Sequence, residues 1–168
     1  MRRVAWPCLF LALVLALTSC SAGSESEGSE GSAPAARPEA SPTFGYGTAI
    51  IDMGEQTSLV DVEVAQSPEQ RARGLMGRQA LADDAGMAFV FFEEHRGGFW
   101  MKDTLIPLSI AFFDQEGTIV SILDMDPCRA EPCKHYDPGV SYWGALEVNR
   151  GAFDRWGAQE GDVIRLVQ

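Results

Sequence analysis

Cys128 and Cys133 lie five positions apart in Asp126-Pro127-Cys128-Arg129-Ala130-Glu131-Pro132-Cys133-Lys134-His135-Tyr136. Two thiols at that spacing have two chemistries open to them. In an exported chain a disulfide is the default, and closing so short a loop stabilises by about 2 kcal/mol through loop-closure entropy. The rival is a soft metal site in which His135, Met125 and His95 join the sulfurs, a set that suits copper or zinc. The chain has only 2 His and a disulfide consumes both thiols. The disulfide is therefore the expectation, and no metal or other cofactor is assigned.

A second cluster is Phe99-Trp100-Met101-Lys102-Asp103-Thr104. On a strand alternate side chains face opposite ways, so Trp100, Lys102 and Thr104 should share one face and Phe99, Met101 and Asp103 the other. An aromatic platform beside polar groups is typical of sugar or peptide sites. This gives a shallow pocket floored by Trp100, with Lys102 and Thr104 as polar contacts. The simpler alternative packs Phe99 and Met101 inside and leaves Trp100 covering an edge. Arg71 and Glu147 complete the set of ligand-binding candidates. Glu147 sits between Leu146 and Val148, where alternation alone predicts exposure, and a buried Arg71–Glu147 ion pair is the other reading, since an unpaired buried charge is costly. Asp103 and Glu147 are also the pair that a carboxylate hydrolase would use. In a chain with 24 Asp and Glu such a pair is weak evidence. With no G-x-S-x-G elbow present, no catalytic residue is assigned.

These side chains need a scaffold, and the pattern is that of short strands. Val60-Asp61-Val62-Glu63-Val64 alternates strictly, a half-buried strand, with Gly47–Met53 as its partner. Ser67-Pro68-Glu69-Gln70 carries an N-cap, a first-turn proline and a capping-box glutamine. It predicts a short helix ending near Gly74 or Gly77, with Arg71 on it. Further strands are predicted at Met87–Phe92, Gly98–Lys102, Leu108–Phe113, Thr118–Leu123, Gly144–Asn149 and Asp162–Val167, and a helical turn at Ala152–Trp156. Asp114-Gln115-Glu116-Gly117 is a hairpin turn. Many short strands with few helical residues imply a mainly β (α+β) domain, a curled or partly closed barrel-like sheet with one or two short helices.

Four blocks in order carry a resemblance: Arg71-Ala72-Arg73-Gly74-Leu75-Met76, Gly86-Met87-Ala88-Phe89-Val90-Phe91, Phe99-Trp100-Met101-Lys102-Asp103-Thr104-Leu105-Ile106-Pro107-Leu108, and Leu146-Glu147-Val148-Asn149-Arg150-Gly151. They resemble the prokaryotic family called domain of unknown function 192. The resemblance implies a compact β-rich domain, often exported, with no established activity. Arg71 and Glu147 match recurrent positions of that family. Where the family commonly has Asp after the Pro-Leu pair, this chain has Ser109.

The N-terminus reads as an address. Met1-Arg2-Arg3 precedes the uncharged run Val4–Leu17, whose 14 residues fall short of the roughly 20 needed to span a bilayer. It has the form of a signal-peptide core, and Leu17-Thr18-Ser19-Cys20 resembles the bacterial lipobox, in which the Cys is lipidated and becomes the new N-terminus. The expected organisation is a signal peptide at 1–19, lipidated Cys20 with an acidic tether through 43, and one globular domain over 44–168. The tether has four Glu, one Arg and no aromatic or branched aliphatic residue, a composition that cannot offset chain entropy by burial.

The chain's 168 residues carry a net charge of −11, with 46% hydrophobic and 22% charged residues. Such acidity excludes a nucleic-acid partner, because nothing neutralises a run of phosphates. The expected protein is an envelope lipoprotein on the extracytoplasmic face of the cell membrane. Its globular part is a small ligand-binding or structural module for a glycan or peptide. The alternatives are a carboxylate hydrolase and a copper or zinc carrier.

Overall fold

The computed structural model describes residues 41–168. The signal peptide, Cys20 and nearly all of the tether lie outside them. The elements run β1 (Gly45–Asp52), β2 (Thr57–Ala65), α1 (Pro68–Arg73), β3 (Ala85–His95), β4 (Phe99–Trp100), β5 (Leu108–Phe113), β6 (Ile119–Met125), β7 (His135–Tyr136), β8 (Tyr142–Asn149), α2 (Ala152–Trp156) and β9 (Val163–Val167). Seven strands form one sheet in the order β6-β5-β8-β3-β2-β1-β9, and β4 pairs with β7 in a separate ribbon. All neighbours in the large sheet are antiparallel except β2 and β3, which run parallel with α1 in the connection between them.

The sheet curls until its two edge strands meet. Thr118 bridges Val163, the Ile119 N–H donates to the Asp162 carbonyl at 2.8 Å, and the Ile164 N–H donates to the Gly117 carbonyl at 2.8 Å. Partial closure of this kind satisfies edge groups that would otherwise pair with other chains. The mainly β, barrel-like expectation holds.

Both faces of the sheet are covered, which explains the run Leu108-Ser109-Ile110-Ala111-Phe112-Phe113, apolar except for Ser109 and buried throughout. One face carries Ile51, Val60, Val62, Leu146 and Val148 and is closed by Ala152 and Phe153 of α2. The other carries Met87, Phe89, Ile110, Phe112 and Ala145 and is closed by Leu75, just past α1, and by Met101 and Tyr136 of the β4–β7 region. Glu147 alternates with Leu146 and Val148 and so belongs to this second face.

Two expectations are corrected. The strand predicted at Gly98–Lys102 is only Phe99–Trp100, because the chain turns after Met101. The Thr104 N–H donates back to the Met101 carbonyl at 3.2 Å, and Asp103 takes φ 53°. The alternation therefore breaks, and Thr104 is buried together with Met101 while Trp100 stays half-exposed. The second correction is Glu147 itself, which is buried because both faces of β8 are covered.

Cys128 and Cys133 lie at disulfide distance, S–S 2.08 Å, in the connection from β6 to β7. The Cys128 N–H donates to the Met101 carbonyl at 3.3 Å, which ties this loop to the turn after β4. The other members of the imagined metal set are dispersed. His95 stacks on Phe91 at 4.3 Å, Met125 is fully buried in the core, and His135 lies beside Trp100. Replacing both cysteines by serine is expected to lower stability by about 2 kcal/mol, read as a shift in the urea midpoint. An unchanged midpoint would show that the bridge constrains nothing.

Candidate functional site

α1 is short and buries none of its residues, so its position depends on its ends. Ser67 Oγ accepts from the Gln70 N–H at 3.2 Å, and Gln70 Oε1 accepts from the Ser67 N–H at 2.9 Å, a complete capping box. Gln70 Nε2 also donates to the Thr43 carbonyl at 2.6 Å. At the far end Gly74 takes φ 45°, and a Cβ there would lie 3.4 Å from the Phe89 ring. That contact is an ordinary one; it is the backbone conformation, φ 45° with ψ −140°, that calls for glycine, and the turn carries Leu75 down into the core.

Arg71 projects from this helix toward the sheet. Its Nη1 donates to the Gln66 carbonyl and, at 3.2 Å, to the Val90 carbonyl. The guanidinium lies 4.7 Å from the Phe91 ring centroid, a cation–π distance. Arg71 thus fastens α1 to β3. The expected ion pair with Glu147 is not formed, since backbone carbonyls and an aromatic face occupy the guanidinium instead.

Beneath α1 lies a cavity of about 30 Å³, lined by residues that include Arg71, Arg73, Phe89, Phe99, Trp100, Thr104 and Glu147. That volume holds one or two waters and not a sugar ring. Four of the five predicted ligand-binding residues (Arg71, Trp100, Thr104 and Glu147) meet here. Lys102 does not. Its ammonium lies 3.6 Å from Glu131 and 5.7 Å from the Trp100 ring, outside the lining, because the turn after Met101 sends it the other way. Trp100 is 45% exposed and stands in the wall of the cavity, not its floor. Asp103 is exposed and absent from the lining, so the Asp103–Glu147 pair of the hydrolase reading is not assembled.

Glu147 gives the cavity its character. It is 4% exposed, in the middle of the sheet, opposite Met87 on β3 and Ile110 on β5. Among the described residues no hydrogen bond or ion pair reaches its carboxyl group, and no buried side-chain polar atom is sealed off without a partner. The carboxyl oxygens therefore open onto the cavity. Desolvation by burial pushes the Glu147 pKa up to about 8, which favours the neutral carboxylic acid at pH 7. It can both donate and accept a hydrogen bond.

Sequence reasoning missed Arg73, Phe89 and Phe99 as lining residues. The signal was present, because the cavity is built from the stretches that carry the family resemblance: Arg71–Met76, Phe89, Phe99–Thr104 and Glu147.

Residues 49–166 match the family described as "Uncharacterized ACR", domain of unknown function 192. The chain belongs to that family. A solved structure of a proposed transcription regulator from Sinorhizobium meliloti 1021 is similar to this member of domain of unknown function 192. It has 31% identity and a TM-score of 0.68, and the match covers 74% of this chain and 96% of that one. A protein of unknown function from Novosphingobium aromaticivorans DSM 12444 is similar at 26% identity and a TM-score of 0.66, over 85% of this chain and 99% of the other. No curated protein matches significantly. The Ser109 hydroxyl donates to Asp124 Oδ1 on the neighbouring strand β6 and accepts from the Gly151 N–H at 2.8 Å.

Proposed function

We propose that this member of domain of unknown function 192 is a membrane-anchored envelope lipoprotein whose domain binds the end of a glycan or peptide in the Glu147 cavity. The observation that carries the binding reading is Glu147, a buried carboxyl group without a partner among the described residues that opens onto a cavity walled by Trp100 and Thr104. A folded protein that only needed a core would put an apolar residue there, because withdrawing a carboxyl group from bulk water is costly. The cavity admits one terminal group, so the rest of such a ligand lies outside it. The lipobox-like Cys20 and a Cys128–Cys133 pair at disulfide distance both support an extracytoplasmic address. The regulator role proposed for the Sinorhizobium protein does not carry over, since a net charge of −11 opposes nucleic acid.

Titration of the protein with cell-wall peptide and glycan fragments, followed by tryptophan fluorescence, tests the binding reading. A saturable change that disappears in Trp100→Phe is the expected result. Fluorescence that stays flat across a broad panel counts against a binding module.

A further inference from the structure

This inference rests on the binding reading of the cavity and narrows it to one ligand chemistry. We propose that the cavity receives a carboxylate, the free C-terminus of a peptide, held between the Arg71 guanidinium and the Glu147 carboxyl group, with Thr104 beside them.

The charges facing the cavity support an anion. Its lining includes two arginines of α1; Arg71 turns toward the sheet, and Arg73 is exposed with its guanidinium beside Gly77. The strands on either side of Glu147 place Met87 and Ile110 opposite it, and the turn after β4 contributes Thr104. None of these is acidic. Glu147 is held neutral by burial. A strongly acidic chain therefore keeps one small site whose only formal charges are positive.

The donors support a carboxylate in particular. Arg71 spends Nη1 on two backbone carbonyls. Among the described residues its Nε and Nη2 make no hydrogen bond, which leaves two guanidinium donors of the fork geometry that matches a carboxylate. A neutral Glu147 adds an O–H donor. The Thr104 hydroxyl already donates its one proton to the Lys102 carbonyl, in a long contact of 3.4 Å, so it serves a ligand oxygen only by exchanging that partner.

Size supports a terminal group on a longer chain. The cavity of about 30 Å³ matches a single small group. Arg73, Gly74 and Met76 are shared with an adjoining open groove of about 370 Å³ that runs to Thr43, Tyr46 and the Arg78–Glu63 ion pair. That groove has room for the residues preceding a C-terminus.

The test is calorimetric titration of the full-length protein in detergent micelles with three probes: acetyl-Gly-Gly-Ala as free acid, the same peptide as C-terminal amide, and acetate. At pH 6 the free acid is expected to bind about tenfold or more tighter than either the amide or acetate. The ligand carboxylate stays ionised up to pH 9.5, while Glu147 loses its proton and the two anions repel. Affinity for the acid should therefore fall about tenfold or more between pH 6 and pH 9.5. Glu147→Gln, whose amide donates at every pH, should keep the binding and lose most of that pH dependence. The probe and pH comparisons need no variant and so stand even if the variant misfolds. Equal binding of acid and amide overturns the proposal, as does tighter binding at pH 9.5, the mark of a cationic ligand. Acetate binding as tightly as the peptide acid overturns the peptide source. Silence to all three probes also overturns it, yet the binding-module reading survives if wall fragments still move the Trp100 fluorescence.

Discussion

Glu147→Gln should make the protein more stable at pH 8 by several kcal/mol and leave it almost unchanged at pH 4.5. The ordinary carboxyl pKa of 4.5 is raised to about 8 in the fold by desolvation. Below pH 4.5 the group is protonated in both folded and unfolded chains and contributes nothing to the difference. Between pH 4.5 and 8 the unfolded chain releases the proton and the folded chain keeps it, so stability falls as pH rises. Above the folded pKa both states are ionised and the loss levels off. Each tenfold change in proton affinity is worth about 1.4 kcal/mol, so the accumulated loss is on the order of 5 kcal/mol, comparable to the whole stability of a marginal domain. Gln has nearly the same shape and no proton to lose, so it removes the penalty. Urea unfolding of both proteins at pH 4.5, 6 and 8 checks this. The two stabilities should diverge steadily with pH, and parallel curves across the window would show that Glu147 is not held neutral. A stability cost concentrated at one cavity residue is what a binding site carries, and an apolar replacement chosen only for packing would avoid it.

Where local pattern decided structure, the sequence was legible. The alternation around Val60–Val64, the capping box at Ser67–Gln70 and the turn at Asp114–Gly117 each use chemistry complete within a few residues, and each forms as expected. The curled β architecture followed from counting short strands. What needed distant partners was not legible. No local signal announces that β3 lies parallel to β2, or that His135–Tyr136 pairs with Phe99–Trp100. The candidate site shows the same division. Arg71, Trp100, Thr104 and Glu147 were chosen from residue type and family position, and they converge. Their roles came out differently. Alternation cannot tell a strand with one solvated face from a strand covered on both, so Glu147 read as exposed or ion-paired when it is neither. A two-residue strand ending in a turn reverses the expected facing of Lys102 and Thr104, and only the Met101–Thr104 hydrogen bond reveals it.

Cys20→Ala should move the protein from the membrane fraction to the soluble fraction and abolish incorporation of labelled palmitate. The argument is one of transfer free energy. Each buried methylene of an acyl chain contributes about 0.8 kcal/mol, so one chain binds a membrane only reversibly and two or three hold it stably. The uncharged run Val4–Leu17 is the other apolar feature of this N-terminus. Its 14 residues make about 21 Å of helix at 1.5 Å per residue, against roughly 30 Å of hydrocarbon. It cannot replace the acyl chains as a stable anchor, and loss of the thiol should therefore show in full. Fractionation and palmitate labelling of the wild type and the Ala variant, run side by side, give the answer. An Ala variant still recovered with the membrane, or a wild type that never takes up label, would remove the anchor. The extracytoplasmic address would then rest on the Cys128–Cys133 pair alone, and thiol counting on freshly isolated protein becomes the deciding measurement. Free thiols there would place the domain in a reducing compartment and withdraw wall peptides and glycans as candidate ligands of the Glu147 cavity.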